Sequence, residues 1–449
     1  MLNSLDSSLI IGYIVLVLII GYISSHKQTG ADFMIANRNL GIWQFVATLT
    51  ATFVGGTILV VYTAYIYEFG AGALFGFLGA GLGLVVFAYL AKKLRRQAHE
   101  HNFHTLADYF DYKFGKNARI SMALVVGVLI VLTLLKQFIA GTSILSTISG
   151  WPYDSALIVT SLVILSYLLL GGFKSVVKTD IFQYALVLLL VTVVAVSAAT
   201  NADVGIDDIT RSDMSITLII SFFVYGFLTI WNASELWQRI YAAKSDKVVK
   251  RGLIVSAVFM LFIGLSIALI GLSVHAKFPN IDPSQAIVFG MMNLLPPAIL
   301  SFGVVLLFAA IMSTADTHVF MLATNIAKDG IMQFKKRELT NEELMRYTRF
   351  GIVGIIIVIT SLAYFFRSII DVALITVGIS MTIVPSIIFS FKKKLDPNAI
   401  IASISVGIFT VILLGLMNKI TPESMVGVVL VSGIVLGIGQ LINKKIQQT

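Results

Sequence analysis

The chain has 449 residues, of which 57% are hydrophobic and only 12% charged, well below the ~25% charged share of soluble domains. Its apolar runs are continuous rather than short and alternating, which excludes a transmembrane β-barrel as well as a soluble domain. The formal charge is +9; the basic residues sit in short loops between apolar runs, so no nucleic-acid partner is expected, and the absence of cysteine excludes disulfide and thiolate chemistry.

A membrane-spanning helix needs about 20 mostly apolar residues. Thirteen runs approach or exceed that length, near 8–25, 43–66, 71–92, 118–148, 153–171, 176–200, 215–236, 251–275, 294–327, 348–366, 370–391, 398–417 and 424–443. The first, span zero, follows Asp6 without a basic leader and reads as a retained helix rather than a cleaved signal. The others are spans one to twelve. With the N-terminus outside, the inner faces hold 27 of the 32 Lys and Arg residues. The outer faces hold Arg211, Lys277, Arg367 and Lys419, and Lys136 lies within a span. This bias orients the chain with a cytoplasmic C-terminus. Compactness and short loops suggest the plasma membrane of a prokaryote.

Span one contains "TATFVGGTILV" (50–60), with Gly55 and Gly56 in mid-span, where a glycine pair weakens a helix and lets another group approach the backbone. The cytoplasmic "HTLADYFDYKFG" (104–115) is amphipathic and suits the membrane surface. Span three carries Lys136 and Gln137; the lysine is expected to snorkel outward. Asp180 opens span five, where an acid near an N-terminus favours the helix dipole. Span six, five spans after span one, has Gly226 and then the polar run Asn232 to Glu235. Glu235 can pair with Arg239 at i+4. Interruptions at corresponding positions of two five-helix halves point to an inverted-repeat transporter. In "DGIMQFKKRELTNEELMRYTR" (329–349), Thr340 or Asn341 is expected to cap a helix with Glu342 and Glu343 in its first turn.

Span eight holds the most unusual stretch, "FAAIMSTADTHVFM" (308–321). An ionised side chain in hydrocarbon costs about 2.5–3.5 kcal/mol on the mildest scale. Ser313, Asp316 and Thr317 share one helical face, and Thr314, Thr317 and His318 an overlapping one. Serine and threonine in helices often bond the carbonyl one turn back. Two hydroxyls with an acid in mid-membrane also form the row of oxygens that a hard cation such as Na⁺ requires.

Four stretches in order resemble the sodium:solute symporter family: "DFMIANRNLGIW" (32–43), "GGFKSVVKTDIFQ" (171–183), "QRIYAAK" (238–244) and "AAIMSTADT" (309–317). The resemblance implies a LeuT-type architecture with a five-helix repeat over 43–200, an inverted repeat over 215–391, span zero before them and two further helices over 398–443, all in one transporter domain. It implies Na⁺-coupled symport of a small organic solute by alternating access. The coupling Na⁺ would take the carbonyls of Ala51, Val54 and Ala310 and the hydroxyls of Ser313 and Thr314. Asp180, Asp316 and Thr317 would form a second Na⁺ or proton site. The solute would bind near the bilayer midplane, with Gly55, Gly56, Thr57, Gln137, Trp231, Asn232 and Glu235 as candidates. Span one lacks the acid or amide that many relatives place near the break, and Glu235 stands where sugar-transporting relatives tend to have glutamine. Both departures favour an amino acid or carboxylate over a sugar.

Proton coupling through Asp180, Asp316 and His318 is the alternative within the same class. A solute sensor that moves nothing is a third reading; the chain ends at "NKKIQQT" without a signalling domain. A membrane protease dyad of two acids lacks the expected contexts, so an enzyme is not expected. The sequence leaves the oligomeric state open.

Overall fold

In the computed structural model, the described residues are 38–449, apart from 170–172, 203, 332–334, 336, 338, 393 and 447–449, together with positions 8, 12, 13, 15–17, 19, 20 and 23. Most of span zero, much of "DFMIANRNLGIW" and the start of "GGFKSVVKTDIFQ" therefore lie outside them. No strand occurs among the described residues. The helices are α1 (Ile42–Phe53), α2 (Thr63–Phe69), α3 (Phe75–Glu100), α4 (Leu106–Phe114), α5 (Lys116–Ser149), α6 (Tyr153–Leu168), α7 (Phe173–Ala202), α8 (Ile206–Thr210), α9 (Ile216–Asn232), α10 (Ser234–Ala242), α11 (Asp246–Lys277), α12 (Ala286–Leu294), α13 (Pro297–Asn325), α14 (Asn341–Phe365), α15 (Ile369–Ser390), α16 (Pro397–Leu416) and α17 (Pro422–Ile446). Among the described residues, nine helices are long and apolar enough to cross a membrane.

Two further spans are broken. The pair Ile42–Phe53 and Ile58–Phe69 bends by 58°, and the pair Ile216–Asn232 and Ser234–Ala242 by 46°. The first break falls at Gly55-Gly56, as the sequence suggests, and the second half begins with a π-helical turn, Ile58–Tyr62. The second falls at Ala233, which leaves helical geometry at φ −67° and ψ 93°. Gly226 is not part of that break. A Cβ there would lie 1.9 Å from the Gly76 carbonyl oxygen, so this glycine lets α9 pack backbone to backbone on α3.

The chain divides into two compact units interleaved in sequence: residues 1–74, 133–213 and 259–369 form the first, and 75–132, 214–258 and 370–449 the second. In the first, α13 packs against α7, α1 and α14, and α14 against α6. The apolar window of α13 within Phe302–Asn325 is 100% buried inside the protein. A helix sheltered in this way can carry an acid and several hydroxyls without presenting them to lipid. In the second unit, α3 packs on α9, α16 on α17, and the amphipathic α4 on α10.

Side-chain caps start two of the helices, and the sequence predicts the one at Thr340. Thr105 accepts from the Asp108 N–H and starts α4. Thr340 accepts from the Glu343 N–H while Glu343 returns a bond to the Thr340 N–H, which fixes the start of α14. Two local expectations fail. Asp180 sits two turns inside α7, which begins at Phe173, beyond the reach of an N-terminal dipole effect. Lys136 is only 8% exposed, so it does not snorkel to the surface; span three turns that face into the first unit. The short helices α8 and α12 have too few residues for a hydropathy window to register.

Candidate functional site

The break in span one frees backbone carbonyls. α1 ends at Phe53, the N–H of the capping Val54 donates to the Thr50 carbonyl, and Gly55 lies outside the helical ladder. The last turn of α1 has no basic residue to offset the negative end of its dipole. The polar face of α13 meets this end. The Ser313 hydroxyl lies 3.0 Å from both the Ala51 and Ala310 carbonyls. The Thr314 hydroxyl donates to the Thr52 carbonyl at 3.0 Å and also lies 3.4 Å from Ala310 O. Two hydroxyls and three carbonyls thus converge in a buried space. Val54 is buried in the same turn. The carbonyl that Thr314 reaches is that of Thr52, which nothing in the sequence singles out.

Close approach explains the glycine pair. A Cβ on Gly55 would stand 2.1 Å from Thr314 Oγ1, and one on Gly56 would stand 2.3 Å from Ile311 Cγ1. Both are far inside contact distance, so α13 can meet the break only if these residues lack side chains.

A second polar group lies beside the first. Asp180, fully buried, accepts a 2.5 Å bond from the Thr48 hydroxyl. Thr52, one turn beyond Thr48, donates to the Thr48 carbonyl and lies 3.5 Å from the Thr317 hydroxyl. Asp316 Oδ1 accepts from the Thr317 N–H at 2.6 Å. Thr48 and Thr52 therefore connect Asp180 on α7 to Asp316 and Thr317 on α13. Their i, i+4 spacing was the available signal, masked by the ordinariness of threonine in an apolar helix. His318 Nδ1 lies 2.8 Å from the Thr314 carbonyl, the arrangement of a histidine satisfied by its own helix. No cluster of three or more acidic, histidine or cysteine side chains suited to a metal occurs among the described residues; the oxygens assembled here are mostly neutral.

On the other side of the break, Gln137 on α5 is 1% exposed and donates from Nε2 to the Thr57 hydroxyl at 2.6 Å. Its Oε1 is buried without a hydrogen-bond partner and would lie 3.1 Å from a Cβ on Gly56. Gly55, Gly56, Thr57 and Gln137 are thus brought together within the first unit. Trp231, Asn232 and Glu235 belong to the second. There the Trp231 carbonyl at the break accepts from the Trp237 indole at 2.8 Å, and the Asn232 amide donates to the Ser380 carbonyl at 3.2 Å. The Trp231 indole nitrogen is buried without a partner. Arg239, fully buried, donates to the backbone carbonyl of Glu235 at 3.2 Å.

Known proteins match over nearly the same extent. The model of the sodium:solute symporter family covers residues 33–407. A sodium/pantothenate symporter of Haemophilus influenzae is 25% identical over 348 residues, 72% of this chain and 71% of that protein. The osmoregulated proline transporter OpuE of Bacillus subtilis is 26% identical over 373 residues, 77% of this chain and 75% of that one. Among solved structures, a substrate-bound, outward-open Na⁺-coupled sialic acid symporter superposes with a TM-score of 0.83 at 16% identity, covering 99% of this chain and 98% of the other.

Proposed function

The chain belongs to the sodium:solute symporter family, and from that premise we propose that it couples inward Na⁺ movement to uptake of a small amino acid or carboxylate by alternating access. It is a multi-pass, all-helical membrane transporter of the LeuT type and not an enzyme. In this proposal the N-terminus lies outside and the C-terminus in the cytoplasm.

One observation carries the ion assignment: Ser313 and Thr314 each meet a carbonyl at the C-terminal end of the half-helix α1 at 3.0 Å. Na⁺ takes the place of the hydroxyl-to-carbonyl hydrogen bonds as the bridge, with both hydroxyls keeping their protons and turning them away; it is held by the carbonyls of Ala51, Val54 and Ala310 and the hydroxyls of Ser313 and Thr314, with Thr52 O close by. The half-helix dipole points its negative end at the ion. Asp180, Asp316 and Thr317, linked through Thr48 and Thr52, form the proposed second cation site. Binding energy spent in bridging α1 to α13 favours the conformation in which both are in place, and that differential affinity drives the population shift.

The solute class follows from Thr57 and Gln137. Because Gln137 Nε2 already donates to Thr57 Oγ1, the Thr57 proton is available for a carboxylate, while Gln137 Oε1 accepts from an ammonium or amide. The N–H groups that open the outer half-helix favour the carboxylate further. A donor beside an acceptor suits an amino acid. Relatives that carry proline and pantothenate agree with this class.

The test is uptake into proteoliposomes of labelled proline, pantothenate and glucose under an inward Na⁺ gradient, with K⁺ as control. Uptake of one of the acids that requires Na⁺ is the expected result. Accumulation driven by a pH gradient in Na⁺-free buffer would instead assign coupling to protons at Asp180, Asp316 and His318. Binding without accumulation would mark a sensor.

A further inference from the structure

The second unit carries a group of cations that ion transport does not use. Asp246, at the start of α11, pairs with Arg95 at 3.0 Å and with Arg96 at 2.6 Å. This ties the start of α11 to the end of α3. A second cross-connection lies further along, where the Lys250 ammonium sits 5.4 Å from the centre of the Tyr89 ring. The two contacts bracket a short stretch of both helices. Within the bracket on α3 lies Lys93, one turn beyond Tyr89 and one before Arg96; within it on α11 lies Lys247. Arg251 follows Lys250. Lys93, Lys247, Lys250 and Arg251 make no ion pair among the described residues, and the single carboxylate of the bracket is already shared by two arginines.

Below this basic bracket the surface is apolar and open. On α3 the face that bears Tyr89 continues through Val86, Leu82 and Leu78, which are 36–47% exposed, and Tyr89 itself is 66% exposed. On α11 the face that bears Lys247 and Arg251 reaches Val258, 64% exposed. α3 therefore shows an exposed apolar stripe and α11 an exposed valine, each continuing into lysine or arginine on the same helix. A solvated basic loop needs neither the exposed tyrosine nor the lysine laid across its ring.

We propose that this bracket is a binding site for an anionic phospholipid, with the phosphodiester held by Lys93, Lys247 and Lys250 and the acyl chains laid along the Val86–Leu82 stripe and against Val258. Charge complementarity selects an anionic headgroup, and the stripes select a lipid over a free anion. The Lys250 ammonium keeps its ring contact with Tyr89 while bonding the phosphate, and Arg251 adds attraction from the next position.

The test uses the full-length purified protein and two lipids of equal chain length, phosphatidylglycerol and phosphatidylcholine, scored by retention in native mass spectrometry and by thermal stabilisation in mixed micelles. The wild type is expected to retain and be stabilised by phosphatidylglycerol. The double variant K93Q/K247Q, which leaves the Lys250–Tyr89 contact intact, is expected to bind it roughly thirtyfold more weakly, given the usual contribution of each basic residue near an anionic surface. The matched control R346Q/R349Q, which removes the same charge from α14 in the first unit, keeps wild-type binding. Equal loss in both variants would mean that binding follows total charge, and the site assignment fails. Stabilisation by inorganic phosphate as large as that by the lipid would identify a free-anion site and also overturn the proposal. Should K93Q/K247Q prove unstable in phosphatidylcholine, the single variant V258N carries the question: it spares every charge and must still weaken retention of the lipid.

Discussion

Replacement of Thr314 by alanine isolates the coupling ion. Thr314 is 3% exposed, and its hydroxyl bridges α13 to the Thr52 carbonyl at 3.0 Å. Thr314→Ala removes one proposed ion ligand and one donor from a carbonyl already freed by the helix break. A buried contact to a charge contributes ~1.5–3 kcal/mol, which at about 1.4 kcal/mol per tenfold weakens Na⁺ binding roughly 10- to 150-fold. Thermal unfolding in detergent, titrated with NaCl and balanced with KCl, reads this directly. At about 100 Kd of Na⁺ the wild type gains ~2.7 kcal/mol; a thirtyfold weaker variant at the same concentration gains only ~0.9 kcal/mol. Thr314→Ser, which keeps the hydroxyl, retains the response. A Thr314→Ala protein with the wild-type Na⁺ midpoint would falsify the site assignment.

Other consequences follow from the same geometry. Gly55→Ala sets a Cβ 2.1 Å from Thr314 Oγ1, so the break and α13 must separate; a loss of ~1–3 kcal/mol should appear as a lower melting temperature, with Na⁺-driven uptake abolished. Thr48→Val removes the 2.5 Å bond to Asp180; if the linked acids hold a second cation, the Na⁺ concentration for half-maximal uptake rises and the Na⁺-to-solute ratio falls, whereas an unchanged ratio limits Thr48 to packing. Burial pushes the Tyr109 hydroxyl, which lies 3.1 Å from the Ser390 hydroxyl, up to about 12. A folded-state value above the ordinary ~10 means that stability holds below that pH and declines between the two values. Melting in K⁺ buffer across this window should show the decline, and Tyr109→Phe should flatten it.

Much of this protein was legible in its order of residues because bilayer physics acts locally. A run of about 20 apolar residues must close its own backbone hydrogen bonds, so spans appear near the positions that hydropathy indicates. The glycine pair at 55–56 marked the first break, and the polar stripe 313–318 stood out because charge in hydrocarbon is costly. Tertiary structure decided the partners. Nothing local distinguishes the Thr52 carbonyl from that of Val54 as the acceptor of Thr314, or shows that Thr48 reaches Asp180 from 132 residues away. Lys136 reads as a snorkelling lysine until its helix is turned inward by its neighbours, and Gly226 reads as a helix break until α3 is seen against it. These outcomes depend on which faces meet, a property of packing between distant segments that no window along the chain contains.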